Sequence, residues 1–359
     1  MNALVKSAPG AGHLALLDVP QPRPGPGAAL VRVRRSGLCG TDLLVSDGVY
    51  KGRNRPVPCP LILGHEAAGE IVALGENGDS PLFPPGDRGK GDCPRFRETR
   101  VVIEALAGCG ACFHCVRGRY NLCPDWHHVG LTMDGALADF VVVPVTSLIP
   151  LPDGMSLDAA ALLEPLATAI NTVERTRPAP GTPTAILGPG PFGLLHLLAL
   201  RAAGAGPIVV FGRPGDEARL AIAAQAGADA ALVADRAAAN AFMSELTHGV
   251  GAGLVVEAAG TPEAVQTAID IAAAGGTLAT LGLVRDTQID ALQVMRKELT
   301  WVGVVASVRR HWAEAIRLVT EGRLHPERLI THRMPLAGAL DGFAALRARE
   351  AVKVMFEVC

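Results

Sequence analysis

The sequence predicts an α/β chain in two parts: a β-rich domain of short strands, and a doubly wound domain whose parallel sheet is covered by helices. Three observations carry this. Up to about Val143, β-forming runs are repeatedly broken by Gly and Pro, as in "AALVRVRRSGLCG", "EAAGEIVALG", "TRVVIEAL" and "ADFVVVP". From about Asp158, strand-like and helix-like segments alternate, which is the pattern of parallel strands with helices on both faces. A length of 359 residues suits two domains better than one or four.

The elements follow in order. "LDAAALLEPLATAINTVER" reads as one helix with Ser156 as its N-cap. "TAILGPGPFGLLHLLALRAAGA" gives a strand, a Gly-rich turn and a helix. "PIVVFG", "DEARLAIAAQAGA", "GAGLVVEAAG", "TPEAVQTAIDIAAAGG" and "TLATLGL" continue the alternation. After Leu299 come "WVGVVAS", a helix "HWAEAIRLVTEG" and a last strand "AVKVMFEV", and no segment repeats in tandem.

Composition excludes several classes. Hydrophobic residues make up 49% and charged residues 19%, which supports a large core and argues against disorder. A net charge of −2 without a basic tract points away from nucleic acid and anionic membranes as partners. "MNALVKSAPG" has no apolar signal-peptide core, and no apolar run is long enough to span a bilayer, so a cytoplasmic location is expected.

Four of the eight cysteines fall in "GCGACFHCVRGRYNLC". Cys109, Cys112, Cys115 and Cys123 follow C-x2-C-x2-C-x7-C, a spacing that lets four thiolates converge on one zinc ion. Gly108, Gly110 and Gly118 supply the tight turns this needs. Four thiolates with no open position make a structural site, in a lobe spanning about residues 105–125. An iron–sulfur cluster is the rival, although the C-P and plant-type spacings are missing. Disulfides fit a reducing compartment least.

"GPGPFG", Gly188 to Gly193, matches G-x-G-x-x-G, and it follows an apolar strand and opens an apolar helix, the context that gives the motif meaning. Gly188 allows the turn, Gly190 lets the backbone approach a pyrophosphate, and Gly193 lets helix and strand close up. The helix N-terminus beginning around Phe192 then offers free N–H groups to the phosphates. An ordinary Gly-rich turn is the plain alternative.

With these two motifs, "SGLCGTD" (Ser36–Asp42), "LGHEAAGEIVALG" (Leu63–Gly75), "LEPLA", "ELTWVG", "LITHRMPL" and "AVKVMFEV" occur in an order that resembles the zinc-dependent medium-chain dehydrogenases, across essentially the whole chain. The resemblance is greatest to the sorbitol, glucose and threonine dehydrogenase branch. It implies a GroES-like catalytic domain from both chain ends, 1–157 and 298–359, around a Rossmann domain at 158–297. It also implies a homo-oligomer, a tetramer in preference to a dimer.

The resemblance makes Cys39, His65 and Glu66 the catalytic zinc group, and those residue types can hold zinc with one position left open. Taken singly each has a plain alternative, a lone buried cysteine being most often a small apolar residue. Glu164 stands where other members of the family place a second cysteine; in the polyol branch this carboxylate is near the metal, directly or through water. Its alternative is a first-turn helix acid favoured by the dipole. Asp42 is expected to accept the free N–H of His65, and Thr41 is assigned to relaying the alcohol proton. His127 and His128 are expected at the surface, and His13 and His311 at the surface or in packing. The implied chemistry is Lewis-acid activation of a secondary alcohol with hydride transfer to a nicotinamide. An oxygen-richer metal site suits polyols, sugars, cyclitols and aminocyclitols, with threonine-type hydroxy amino acids as the alternative.

NAD-specific sites of this fold place an acid at the end of the second strand, about 20 residues beyond the Gly-rich turn. Here "IVVF", Ile208–Phe211, is followed by Gly212 and Arg213, with Arg219 expected one to two turns into the next helix. A glycine leaves room for a 2′-phosphate and an arginine can bind it, which favours NADP over NAD. The opposing possibility is that Asp216 or Glu217 folds back onto the ribose. Relatives lack most of "GKGDCPRFRETR" (Gly89–Arg100), which reads as an exposed loop carrying Cys93, just after a turn at Asp87. Two rivals remain at this stage: a zinc-free reductase of the same superfamily, and a non-catalytic nucleotide-binding zinc protein. Zinc content separates them, since the dehydrogenase needs two ions per chain.

Overall fold

The computed structural model describes residues 1–50, 52–53, 55–75, 98–284 and 286–358. Asp87, Cys93 and most of the Gly89–Arg100 stretch lie outside the described residues, while Arg100 already begins a strand, Arg100–Ile103. The chain forms two compact units: Met1–Glu164 with Ser307–Thr320 and Ile330–Cys359, and Pro165–Ala306 with Glu321–Leu329.

The first unit is built on the strand Ala28–Gly37, whose apolar run lies at the centre of a seven-stranded sheet. It pairs antiparallel with Glu66–Leu74, Phe140–Pro144 and Lys353–Glu357, so strands from both chain ends meet in one sheet. A smaller sheet joins Asn2–Lys6 to Leu14–Asp18 and Leu61–Ile62. Gly and Pro keep the strands short and the sheets irregular, as the sequence leads one to expect.

The second unit holds a six-stranded parallel sheet: β1 (Thr184–Leu187), β2 (Ile208–Gly212), β3 (Ala230–Val233), β4 (Ala252–Glu257), β5 (Ala272–Thr280) and β6 (Thr300–Gly303). The spatial order is β3-β2-β1-β4-β5-β6, the doubly wound order with its switch point between β1 and β4. Central strands such as "TAIL" and "IVVFG" are buried along their whole length, as parallel strands covered on two faces must be. Among the helices are α1 (Pro191–Ala202), α2 (Glu217–Gln225), α3 (Arg236–Leu246) and α4 (Pro262–Ile271). Asp235 and Thr261 cap α3 and α4 by accepting the N–H of Ala238 and Ala264. Phe211, Met243, Val255 and Ile269 share the core beneath them.

Two details depart from the sequence reading. The helix expected from Ser156 onward is two helices, Leu157–Ala161, capped by Ser156, and Leu163–Thr176. Pro165 explains the break, since its ring excludes a continuous helix through the preceding turn but is tolerated in the first turn of a new one. The strand at 300–303, assigned from sequence to the catalytic domain beginning at 298, pairs with β5 and extends the parallel sheet.

Candidate active site

The strand register assembles one end of the first unit's sheet. Gly37 pairs with Glu66 on one side and with Met355 on the other. A Cβ at Gly37 would fall 2.2 Å from Glu66 Oε2, so glycine is what admits the carboxylate. Two residues on, Cys39 caps the short helix Gly40–Ser46. Cys39, His65 and Glu66 each bring one ligand atom to within 4.8 Å of the other two.

Asp42 ties the two loops of this cluster together. Fully buried, it accepts the backbone N–H of Cys39 at 3.0 Å and of Gly64 at 3.3 Å, and its Oδ1 lies 3.5 Å from His65 Nδ1. A carboxylate against one ring nitrogen fixes the imidazole and leaves the other nitrogen to act as a ligand. Burial by itself lowers the His65 pKa, but the charges of Asp42 and Cys39 outweigh it and hold the group well above the usual imidazole value. The same negative field favours a divalent cation, so these residues fit a zinc ion by charge, ligand type and proximity. Thr41 Oγ1 lies 3.7 Å from Cys39 Sγ, at the edge of the cluster.

Glu66 carries a partner that the sequence reading missed. Lys353, 2% exposed, forms an ion pair with Glu66 Oε2, itself on a residue 1% exposed, and donates to Leu38 O at 3.0 Å. A lysine inside the apolar run "AVKVMFEV" was the available signal, because a cation there needs a buried counter-charge. Glu164 sits in the first turn of the helix Leu163–Thr176 and stands outside the three-residue ligand set. Burial pushes its carboxyl up to about 7; His65 opposes the shift and Glu66 adds to it. Its link to the cluster is therefore electrostatic in this structure.

The expectation for His128 is corrected. His127 is exposed, but His128 is buried, with its ring edge-on to His65 at 5.3 Å and to Trp126 at 5.6 Å. The strand pair Leu106–Ala107 and His127–His128 turns alternate side chains in opposite directions, and His128 takes the inward one. Burial pushes its pKa down to about 3, so it is a neutral ring, with Nδ1 2.8 Å from Val129 O. His311 is buried, and its Nδ1 accepts the N–H of Val308 at 3.1 Å.

The four clustered cysteines are free thiols that converge as their spacing implies. Sγ–Sγ separations of 4.0 Å (Cys109–Cys115) and 3.8 Å (Cys112–Cys123) are too long for disulfides. They match the roughly 3.8 Å edge of a tetrahedron with about 2.3 Å metal–sulfur bonds. That is the span of one ion, tighter than a multi-iron core. Gly110 and Gly118 take positive φ of 78° and 67°. A Cβ at Gly108 would meet Cys115 Sγ at 2.6 Å. Tyr120 and Arg309 both bind the buried Glu104, Arg309 Nε at 2.9 Å from Glu104 Oε2, which ties the lobe to the helix Arg309–Thr320.

In the second unit the Gly-rich turn has the expected geometry. Gly188 has φ 104°, and a Cβ there would lie 2.9 Å from Ala259 Cα. A Cβ on Gly193 would lie 2.0 Å from Gly188 O, whereas Gly190, at the N-cap of α1, faces open space. Phe192 lies in the first turn of α1 with its ring edge-on to the buried His196 at 4.7 Å. The room expected beside Gly212 is already taken: a Cβ there would meet Asp216 Cβ at 3.0 Å and Pro189 Cγ at 3.1 Å. Asp216 is buried and accepts the Arg213 N–H at 3.2 Å, with Arg219 Nη1 3.9 Å away. Arg213 is exposed, and Arg219 lies within the first turn of α2, earlier than expected.

Known proteins resemble this chain along its whole length. Residues 25–153 match the alcohol dehydrogenase GroES-like domain and residues 191–321 the zinc-binding dehydrogenase domain. A sorbitol dehydrogenase of Halalkalibacterium halodurans is 33% identical over 99% of this chain and 98% of its own. An L-threonine 3-dehydrogenase of Thermococcus kodakarensis is 32% identical over 99% and 97%. The alcohol dehydrogenase TADH from Thermus sp. ATN1 is similar in structure, with a TM-score of 0.85 at 29% identity and 100% of each chain covered. With whole-chain similarity added to the two cysteine-bearing clusters and the doubly wound sheet, the chain belongs to the zinc-dependent medium-chain dehydrogenases, NAD(P)-dependent enzymes that oxidise alcohols.

Proposed function

We propose that the protein interconverts a secondary hydroxyl and a ketone on a polyol, sugar or cyclitol, using two zinc ions per chain and NADP in preference to NAD. The observation that carries the reading is the Cys39–His65–Glu66 cluster, with the carboxylates of Asp42 and Glu164 around it. When bound there, zinc supplies Lewis acidity toward the hydroxyl, and the nicotinamide supplies the hydride acceptor. Cys39, His65 and Glu66 are the ligand group, Asp42 holds the His65 ring, and Thr41 passes the hydroxyl proton outward. Glu164, with a carboxyl near neutrality, sets the charge around the substrate. Oxygen-rich surroundings favour substrates that offer two adjacent oxygens, and the similar sorbitol dehydrogenase supports that class. Cys109, Cys112, Cys115 and Cys123 hold the second, structural ion.

The exposed Arg213 is the group offered to a 2′-phosphate, while the Asp216 carboxylate is turned to the Arg213 N–H and Arg219. A homotetramer in the cytoplasm completes the reading; among the described residues no helix is long and apolar enough to cross a membrane.

The test is a panel of polyols, aldoses, cyclitols and L-threonine with each nicotinamide cofactor, run on the wild type, Cys39→Ser and Arg213→Ala. The expected result is turnover of a vicinal diol that Cys39→Ser abolishes, with an NADP preference that Arg213→Ala erodes. Turnover of L-threonine alone would move the substrate class to hydroxy amino acids. A wild-type preference for NAD untouched by Arg213→Ala would assign the ribose to Asp216 instead.

A further inference from the structure

The sheet order constrains how a dinucleotide lies on the second unit. The pyrophosphate belongs at Gly190 and the N-terminus of α1, and the adenosine half runs toward the end of β2, at Gly212 and Arg213. The other half must then extend to the opposite side of β1, across the ends of β4 and β5. At the end of β4 is Glu257, whose side chain is fully buried.

Glu257 lies between two loops. Its Oε1 accepts the backbone N–H of Ala259 at 2.9 Å and of Gly260 at 2.7 Å, closing the loop that follows β4. Its Oε2 faces the loop after β5: a Cβ at Gly282 would fall 2.5 Å from that oxygen and 2.5 Å from Gly260 Cα. The Leu281 N–H also bonds Glu257 O at 3.1 Å. The first of these loops lies against the Gly-rich turn, through the Gly188–Ala259 approach and the bond from Ala258 N to Leu187 O at 3.0 Å. The carboxylate therefore closes the loop after β4 with two hydrogen bonds and packs its other oxygen, which has no hydrogen-bond partner among the described residues, against the loop after β5, on the side of the switch point away from the adenosine.

We propose that Glu257 is a positioning residue for the nicotinamide half of the cofactor, acting through the loop after β4 that it clamps and the loop after β5 that packs on it. The proposal rests on the reading that this unit binds a nicotinamide dinucleotide. It separates the two halves of the ligand: loosening the clamp weakens the contacts of the nicotinamide and its ribose and leaves the adenosine contacts at β2 intact.

The experiment is titration calorimetry of the intact zinc-loaded protein with NADPH, NADH, ADP and the 2′-phosphorylated counterpart of ADP. The variants are Glu257→Ala, Glu257→Asp, whose shorter arm withdraws the carboxylate from the Gly260 N–H, and Glu257→Gln, which keeps an acceptor oxygen. Glu257→Ala should raise the Kd of the preferred full cofactor at least tenfold and Glu257→Asp at least threefold. The adenosine fragments should bind within twofold of wild type, and Glu257→Gln should stay within threefold for every ligand. Should Glu257→Ala fail to fold, Glu257→Asp carries the test. Fragment and full cofactor weakening together would reduce Glu257 to a general folding role, and unchanged binding of both would remove it from the cofactor site; either result overturns the proposal. Wild-type protein that binds neither NADH nor NADPH would sink the dinucleotide reading itself.

Discussion

Lys353→Met tests the account of the metal cluster most directly. Lys353 and Glu66 are 2% and 1% exposed, and the lysine also satisfies Leu38 O. Removing one member of such a pair leaves an uncompensated buried charge, which costs about 3–5 kcal/mol. For a unit of this size each kcal/mol is worth about 2–4 °C, so a fall in Tm of about 6–20 °C is expected. The double variant Lys353→Met with Glu66→Gln should recover a good part of that loss, because the stranded charge goes with the glutamate; a coupling of about 1–3 kcal/mol is the measure. Thermal and denaturant unfolding should be run on zinc-loaded and chelator-treated protein. If the Glu66 carboxylate faces a bound cation, the ion takes over part of the lysine's task, and the loss will be larger without zinc. A single-variant loss below about 1 kcal/mol in the chelated protein, or a double variant as unstable as the two changes summed, would refute the claim that this pair is a coupled buried charge.

Two further outcomes are expected. Cys112→Ser should lower zinc by about one ion per chain in elemental analysis and reduce thermal stability, since metal bound only by the folded lobe contributes folding free energy; unchanged zinc content would refute the four-thiolate site. Glu164 has a folded-state carboxyl value of about 7 against 4.5 unfolded, so its contribution to the stability of chelator-treated protein is fully present below pH 4.5 and is lost as pH rises through 7. The full swing is on the order of 3 kcal/mol, and Glu164→Gln should flatten that part of the profile, leaving the slope due to His65; parallel profiles for the two proteins would contradict the desolvation of the half-buried Glu164.

The fold was legible where it is set by local pattern. The alternation after Asp158 gave the parallel sheet because β-branched runs and Gly-rich turns repeat at regular spacing. The C-x2-C-x2-C-x7-C spacing led to four convergent thiols because the closing loop is short. What failed depends on which face a side chain takes. His128 follows an exposed His127, and one residue of register decides between solvent and the cluster. Pro165 was a readable break in a helix that apolar periodicity alone made continuous. The missing acid at Gly212 was read as open space, but a buried Asp216 four residues later fills it, because the chain turns back on itself at the start of α2.

Two glycines show why such sites are hard to see in one dimension. Gly37 stands opposite Glu66, and Gly282 lies in the loop beside Glu257; in each case the Cβ that any other residue would carry falls on a carboxylate oxygen, at 2.2 Å and 2.5 Å. Both glutamates lie at strand ends, Glu66 opening its strand and Glu257 closing β4. Each lies against a backbone that only a residue without a side chain permits, and each has fixed partners, Glu66 in Lys353 of the last strand and Glu257 in the N–H groups of Ala259 and Gly260 just beyond it. A buried carboxylate is costly unless such partners are fixed in place, and strand ends are where two loops can be brought to bear on one group. The glycine and its glutamate lie 29 residues apart in one unit and 25 in the other. No local preference marks either glycine as different from a turn residue, so the reason for each is tertiary.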